Sequence, residues 1–507
     1  MLNNRLPIWI LFIFALVFQL LFYNHNMGLN CLFLLCLSSV LIFIFKKAPA
    51  TKTAIFIHCC CWLSAFSVVL AHTTYSMVFF WISFIIYLST AIHQKINYFH
   101  FVPLFIYDAV KLIPQNINQI VTNSFNLKQN NRLKFWIPLI IIPFIVLLVL
   151  VKLYSLSNIY FETAIDKFLN HIFSYLSNIS IGKMALFILG FIIGIFFITK
   201  FSIEKIISKD LEETTNLVRK RTKQNVLKYL NRKLLRINYV GVGLFILLNL
   251  LILTINYLDI KYIWIDFKWN GGFLKDMVHQ GTYLLIVAVL ISIGISLYYL
   301  NSNLVFLKNN KPLKTLIIIW LVQNIIMIIS VAYRNSYYIK YFALAYKRIF
   351  VYYFLVACLF GIVSIIFKTI KSKNTAFLLV TNSISIYIIF LSAALINWDK
   401  IIAKYNFANY KTAYIHYSFL QDLNDSALPY LETNKLHLHE IDSIQASRFI
   451  FDTRGIVNSD EFSNFIELRK KYFIADWKNK SWLEWNWPES DSYNKLQFEW
   501  KESIKTK

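Results

Sequence analysis

The amino-acid sequence predicts an all-α protein, a polytopic bundle of transmembrane helices followed by a small helical C-terminal region outside the membrane. Hydrophobic residues make up 58% of its 507 residues and charged residues only 15%, whereas a soluble domain carries roughly 25% charged residues. Apolar runs of about 18 residues or more, long enough to cross a bilayer, recur along the chain. Together these observations predict a multi-spanning membrane protein.

The apolar runs predict about eleven spans, within a range of about 10 to 13. Two further stretches, 96–126 and 159–180, mix apolar and polar residues and are expected to lie at the membrane interface or to dip into the bundle. If either stretch crosses fully, the number of spans changes by one. The predicted spans are residues 7–23, 28–45, 53–71, 75–92, 134–154, 183–202, 238–258, 279–300, 313–332, 349–367 and 375–396.

Charge divides the chain into a basic membrane part, residues 1–396, and a nearly neutral tail, residues 397–507. The chain carries a net charge of +25, yet the tail holds 15 basic and 16 acidic residues. Basic loops mark the cytoplasmic side of a membrane protein and contact anionic lipid headgroups. This explains the positive net charge, so the charge does not call for a nucleic-acid-binding function. The densest basic loop, 203–236, therefore predicts a cytoplasmic N-terminus and, with eleven spans, a tail outside.

The tail reads as a small region built of helices. Asn424, Asp425 and Ser426 supply cap residues before one of them, and Ser459, followed by acidic residues, is expected to be the N-cap of another. No alternation typical of strands occurs. We expect this region to rest on the membrane part.

Cysteines and histidines predict neither a metal site nor a bound cofactor. All six cysteines lie in apolar runs, and neighbours such as Cys59, Cys60 and Cys61 point about 100° apart on a helix. His437 and His439 share a face only on a strand, where we expect helix or loop. The sequence also lacks the common phosphate-binding, nucleophile and metalloprotease motifs, which argues against an enzyme.

Acidic residues in the membrane part point instead to a polar site on the outer face. Five of the ten acids before residue 397 fall in loops that the charge bias places outside, beside the ends of spans. Ionisable groups near hydrocarbon are costly and usually functional. The residues predicted to form this site are Asp276, His279, Arg334, Asp399, Glu162 and Asp166.

Two of these residues, Asp276 and His279, stand one helical turn apart where the eighth span begins, so their side chains are able to meet. One interpretation is a helix cap with a histidine at headgroup depth. The other is an imidazole oriented by a carboxylate as a proton acceptor or ligand. Gln323 and Asn324 form an intramembrane amide pair, which predicts either hydrogen bonds between helices or the lining of a polar cavity.

Four segments carry a family resemblance: "DMVHQGTYLLIVAVLISIGISLYYL", "IIIWLVQNIIMIISVAYRNSYYIKYFALAYKRIFVYYFL", "INWDKIIAKYN" and "DLNDSALPYL". They resemble a bacterial multi-spanning membrane family, frequent in Bacteroidota, that is catalogued only as a domain of unknown function, of the 4173 type. The resemblance covers roughly residues 235–435 and implies no activity. It does imply a bacterial inner membrane with a periplasmic tail, and it implies that His279, Gln323, Asn324, Arg334 and Asp399 are family features.

Three classes of function remain open for a cell-envelope protein of this kind. A proton-coupled transporter or channel would use the acids and His279 as a proton relay. A membrane-embedded transferase or hydrolase acting on a lipid-linked substrate would use Asp276 or Glu162 as base and Arg334 as an anion clamp. A structural or sensory protein would use the tail to bind an envelope protein or lipid.

Overall fold

A computed structural model of the chain describes residues 25–46, 52–92, 224–266, 271–300, 310–448 and 457–505, with a few isolated positions outside these ranges. Within them every element of regular secondary structure is a helix. The predicted all-α class is thus confirmed for the described residues. Predicted spans 7–23, 134–154 and 183–202, the stretches 96–126 and 159–180, and most of loop 203–236 lie outside them or contribute only scattered positions.

In the described part of the chain, eight apolar or partly apolar helices precede the tail. They are α1 (Leu29–Lys46), α2 (Lys52–Leu70), α3 (Thr74–Ile92), α4 (Gln224–Asp259), α5 (Gly271–Tyr299), α6 (Lys311–Phe342), α7 (Tyr346–Lys371) and α8 (Thr375–Ala394). Helix α4 continues without a break into a π-helical segment, Ile260–Ile265.

Four of these helical stretches are long and apolar enough to cross a membrane: Leu234–Ile265, Lys311–Phe342, Tyr346–Lys371 and Phe377–Ala394. They coincide with the seventh, ninth, tenth and eleventh predicted spans. Leu29–Val40, Ile55–Leu70, Thr74–Phe84 and Leu284–Tyr299 are shorter apolar helices. The structure therefore supports membrane-spanning helices in the described part of the chain, without confirming eleven of them.

Within its described residues the tail consists of helices, as its sequence predicts. They are α9 (Trp398–Ala408), α10 (Tyr417–Gln421), α11 (Leu428–Thr433), α12 (Leu438–Arg448), α13 (Ser459–Asn479) and α14 (Trp487–Lys505), with 3₁₀ turns at Asp425–Ala427, Asn434–His437 and Trp482–Glu484. The side chain of Asn424 accepts a hydrogen bond from the backbone N–H of Asp425, so the predicted cap is present.

The cap of α13 differs by one residue from the prediction. Asn458, not Ser459, is the N-cap: its side chain accepts from the backbone N–H of Glu461, and the Glu461 side chain accepts from the backbone N–H of Asn458. This reciprocal pair is a capping box, which Ser459 cannot form because three residues further on stands Phe462 rather than Glu or Gln.

The chain divides into two compact units. The first comprises residues 1–98, 339–353 and 387–507, so it holds α1–α3 and the tail; the second comprises residues 99–338 and 354–386. The first unit has an apolar core in which Ile402, Leu420, Leu431, Ile441 and Phe462 are fully buried. Each such side chain stabilises the fold by about 1.5–3 kcal/mol.

In the second unit, α4 approaches α5 and α6 closely because it carries Gly241. A Cβ at this position would lie 2.7 Å from the ring of Tyr299 and 3.1 Å from the side chain of Leu313. Four residues later, the ring of Phe245 packs edge-on against Trp320 of α6. This close packing brings the polar residues of α4 within hydrogen-bond distance of α6.

Candidate functional site

A buried ion pair joins the end of α4 to α6. Arg334 Nη2 donates to Asp259 Oδ1 at 2.6 Å, and Ser330 Oγ donates to Asp259 Oδ2 at 2.6 Å. The Arg334 side chain is 0% exposed and that of Asp259 1% exposed. Both helices belong to the stretches able to cross a membrane, so a basic and an acidic side chain lie together among apolar helices.

Asp259 occupies the point where α4 changes to the π-helical segment Ile260–Ile265. In this segment the wider turn is accompanied by a stack between Trp264 and Tyr333 of α6, with ring centres 5.0 Å apart and planes at 19°. Because π-helical turns are rare and concentrate at functional sites, this backbone change beside a buried carboxylate distinguishes the site from ordinary helix packing.

Amide side chains continue the site along the same two helices. Gln323 Nε2 donates to Asn249 Oδ1 at 2.7 Å, and Asn256 Nδ2 donates to the backbone oxygen of Gln323 at 3.0 Å. Asn249, Asn256 and Asp259 share one face of α4 because they are seven and three residues apart, and Gln323, Ser330 and Arg334 share one face of α6 because they are seven and four apart. We call these six residues the polar seam.

The two ends of the polar seam contribute differently to the free energy of folding. An amide hydrogen bond between membrane helices contributes only about 0.6 kcal/mol. Removing one partner of a buried ion pair costs about 3–5 kcal/mol, because it leaves the other charge unpaired. The Asp259–Arg334 pair is therefore the energetically decisive part of the seam.

The predicted intramembrane pair divides between two roles. Gln323 bonds to α4, as the interpretation of hydrogen bonds between helices expects. Asn324 is fully buried, and its Nδ2 donates within its own helix to the backbone oxygen of Trp320 at 2.7 Å.

The other predicted site residues are placed as follows. Arg334 belongs to the second unit and Asp399 to the first; Asp399 accepts hydrogen bonds from the Tyr346 hydroxyl and from the backbone N–H of Asn424. Asp276 and His279 lie one turn apart on α5, and the structure describes their backbone only. Asp166 lies outside the described residues. Glu162 is an isolated described position and is half-buried. One site that unites all six residues stays a prediction.

Asp259, the partner of Arg334, is not among the predicted site residues. Because the apolar run ends at residue 258, the sequence predicts a loop at Asp259, but the helix continues into the π-helical segment and keeps the carboxylate buried. The spacing of Asn249, Asn256 and Asp259 within the mostly apolar stretch 239–259 is the signal that points to this face.

A second buried polar cluster, also missed, holds the α2–α3 loop against the tail within the first unit. His72 Nε2 lies 3.3 Å from Glu489 Oε1, while Lys480 Nζ and Asn486 Nδ2 approach Glu489 Oε2 at 2.6 and 2.8 Å. His72 has a φ of 49°, unusual for a residue with a side chain. We call these four residues the tail clamp.

Two further tail residues bind the backbone of the same loop. Asn397 Nδ2 donates to the oxygen of Ala71 at 2.8 Å, and Asn424 Nδ2 donates to the oxygen of His72 at 2.7 Å. Sequence alone gives little warning of the tail clamp, because His72 and Glu489 are far apart and neither belongs to a motif.

The electrostatics of the tail clamp favour an ionised Glu489. Burial alone would raise the pKa of this carboxyl, but the hydrogen bond and charge of His72, together with the Lys480 ammonium, outweigh burial and lower the pKa from 4.5 to about 2. Among the described residues, no group of three or more His, Cys, Asp or Glu side chains is arranged to hold a metal ion.

Comparison with protein families gives one match. Residues 31–434 match the family described as Domain of unknown function (DUF4153). The chain belongs to this family. The matched number differs from the 4173 type that the sequence resemblance suggested. No curated protein and no solved structure matches the chain. The matched range contains the whole polar seam and Asp399, and it ends before Glu489.

Proposed function

We propose that the protein is a bacterial inner-membrane transport protein that couples movement of a small polar or ionic solute to protons through Asp259 and Arg334. The observation that carries this proposal is the ion pair of 2.6 Å, with side chains 0% and 1% exposed, between helices able to cross a membrane. Ionisable residues at such positions are rare and mark proton relays and ion pathways.

The chemistry needed from the pair is simple. A proton that binds to a carboxylate oxygen of Asp259 removes its negative charge and so weakens its hold on Arg334. Loss of the proton restores the pair. The π-helical segment after Asp259 gives this part of α4 a backbone able to shift by a partial turn. The amides of the polar seam offer hydrogen bonds to a polar solute.

The proposed orientation has a cytoplasmic N-terminus and a periplasmic tail. Support comes from the first unit, where the tail touches three connections that the eleven-span map assigns to one side: Gly28 before α1, loop 71–73 and loop 343–345. Basic loops such as 203–236 would then face the anionic headgroups of the cytoplasmic leaflet.

The other two classes of function have less support. Arg334 is engaged by Asp259, which argues against its use as the anion clamp of a transferase or hydrolase. A structural or sensory role fits the tail clamp but leaves the buried ion pair without a purpose beyond packing. Both remain predictions from the sequence.

Proton flux into vesicles tests the proposal. The full-length protein is reconstituted into liposomes that enclose a pH-sensitive dye, and sodium, potassium, phosphate or an amino-acid mixture is added outside. We expect at least one of these probes to drive proton movement, and we expect Asp259→Asn to abolish that movement because the proton acceptor is gone. Thr254→Val, at an exposed position of α4 outside the polar seam, should retain it.

A double variant separates function from folding. Asp259→Asn alone leaves Arg334 buried opposite a neutral group, whereas Asp259→Asn with Arg334→Gln removes both charges and is expected to recover thermal stability. If the double variant is stable and silent, the ion pair is functional. If it is stable and still moves protons, the pair serves packing only, and the transport mechanism proposed here is wrong.

A further inference from the structure

A buried lysine lies at the turn between α7 and α8, away from the polar seam. Lys368, in the last turn of α7, is 4% exposed, and its Nζ has one hydrogen-bonding contact, with Thr375 Oγ1 at 3.5 Å. No carboxylate pairs with Lys368 among the residues that the structure describes. A buried ammonium without a counter-charge is costly, so a bound anion would stabilise Lys368 in this position.

The lysine is directed at the start of another helix. Thr375 is the first residue of α8, a helix of 20 residues, and Asn374 caps it by accepting the backbone N–H of Phe377 at 2.9 Å. The first N–H groups of a helix carry a partial positive charge and favour anions. The Lys368 ammonium and this helix N-terminus repel each other. One bound anion would offset that repulsion and would also pair with the ammonium.

The turn between the two helices is tight. Ser372 has a φ of 49°, and the backbone N–H of Lys373 donates to the oxygen of Lys368 at 3.0 Å, which is the pattern of a Schellman cap. The turn therefore holds the C-terminal end of α7 and the N-terminal end of α8 together. Lys371 and Lys373 flank it, so three lysines lie within six residues without an acid.

We propose that the α7–α8 turn is a phosphate-binding site. The Lys368 ammonium and the Thr375 hydroxyl donate to phosphate oxygens, the first amides of α8 face the same anion, and Lys371 and Lys373 add positive charge around it. The phosphate belongs either to the headgroup of an anionic phospholipid or to a free phosphate in solution. Both sources present the same tetrahedral oxyanion, which helix N-termini and lysines bind well.

Thermal unfolding of the full-length protein in lipid nanodiscs tests this site. The probes are phosphatidylglycerol, added to nanodiscs of phosphatidylcholine, and inorganic phosphate, added to nanodiscs of phosphatidylcholine alone. We expect phosphatidylglycerol to raise Tm and to remain bound in native mass spectrometry. In Lys368→Met, which keeps the volume and removes the charge, retention should fall roughly tenfold or more and the rise in Tm should disappear.

The direction in which Lys368→Met changes Tm in the absence of an anionic ligand makes the test specific. Lys368→Met should raise Tm in phosphatidylcholine alone, because a buried unpaired charge has been removed, although the variant loses the response to the anion. Lys371→Met is the matched control: it removes the same charge from an exposed position of the same helix and should keep most of the response.

Each result decides the proposal. A response to phosphatidylglycerol alone identifies a lipid headgroup site, and a response to inorganic phosphate as well identifies a site for free phosphate. An unchanged Tm with both probes, or an equal response in Lys368→Met and in the original protein, overturns the proposal. None of these results depends on Asp259 or on transport activity.

Discussion

At the scale of single residues, Gly28 makes the close approach between α1 and the tail possible. A Cβ at this position would lie 2.5 Å from the carbonyl carbon and oxygen of Glu484 and 2.8 Å from the oxygen of Trp485. These are backbone atoms, which cannot move aside as the end of a flexible side chain can. The 3₁₀ turn Trp482–Glu484 therefore rests directly on the glycine.

Replacing Gly28 with alanine should loosen this contact. We expect Gly28→Ala to lower the free energy of unfolding by about 1–3 kcal/mol, as overpacking does in a close-packed interior. Thermal unfolding and protease cleavage within the tail measure the effect. Gly243→Ala in α4 is the control, because nothing lies within 4 Å of its added Cβ, and it should be neutral or stabilise by up to about 1 kcal/mol. Equal effects of the two substitutions would contradict this account.

Residue identity predicts that a charge is important more readily than it predicts its partner. Arg334 stood out in the sequence because arginine beside hydrocarbon is costly. Its partner, 75 residues away in the chain, follows from how α4 and α6 pack, and no sequence spacing encodes that. The same reason hid Glu489, whose low pKa depends on a loop that precedes it by several hundred residues.

At the scale of elements, the tail clamp joins α14 to the α2–α3 loop through one carboxylate. Because the pKa of Glu489 is lowered on folding, from 4.5 to about 2, its ionised form stabilises the folded state. That contribution, on the order of 3 kcal/mol, is fully present above about pH 4.5 and is lost as the pH falls towards 2.

Acid should therefore weaken the attachment of the tail. We expect Tm and the protease resistance of the tail to fall between about pH 5 and pH 2. In Glu489→Gln, stability should be lower at neutral pH and should change less over this range. Glu467→Gln, at an exposed position of α13, should keep the original pH dependence. An unchanged pH profile in Glu489→Gln would show that this carboxyl does not control attachment of the tail.

Helix positions were predicted better than helix lengths. The predicted spans fall within α4, α6, α7 and α8. However, α4 begins at Gln224 and α6 runs to Phe342, beyond the predicted spans 238–258 and 313–332. Hydropathy reports where a helix meets hydrocarbon, whereas backbone hydrogen bonds continue through the polar ends. The capping box of α13 shows that local signals, once reciprocal pairs are considered, locate a boundary to within a residue.

At the scale of the whole molecule, an odd or an even number of membrane spans decides which side of the membrane the tail occupies. Reporter fusions after Lys507 and within loop 203–236 should show the tail outside and the loop in the cytoplasm. The contacts of the tail with loops 71–73 and 343–345 require these loops to share its side. Fusions that place both the tail and loop 203–236 inside would contradict the eleven-span map and the proposed orientation.

The sequence predicts apolar helices able to cross a membrane but not the way the chain divides. The change in composition at residue 397 predicts a separate tail that rests on the membrane part, but not which helices it contacts. In the first unit the tail packs with α1–α3, since Asn397, Asn424 and Glu489 bind a loop near the N-terminus. Contacts between distant segments depend on three-dimensional shape, which composition does not record.

The tail clamp also has a consequence for biosynthesis. His72 is made about 400 residues before Glu489, so at about 5–20 residues per second a ribosome leaves the α2–α3 loop without its partner for roughly 20 to 80 seconds. During that time His72 and the backbone oxygens of Ala71 and His72 lack the partners that the tail supplies. Closure of the first unit thus waits until α14 has been made, and a chain truncated before α14 never completes it.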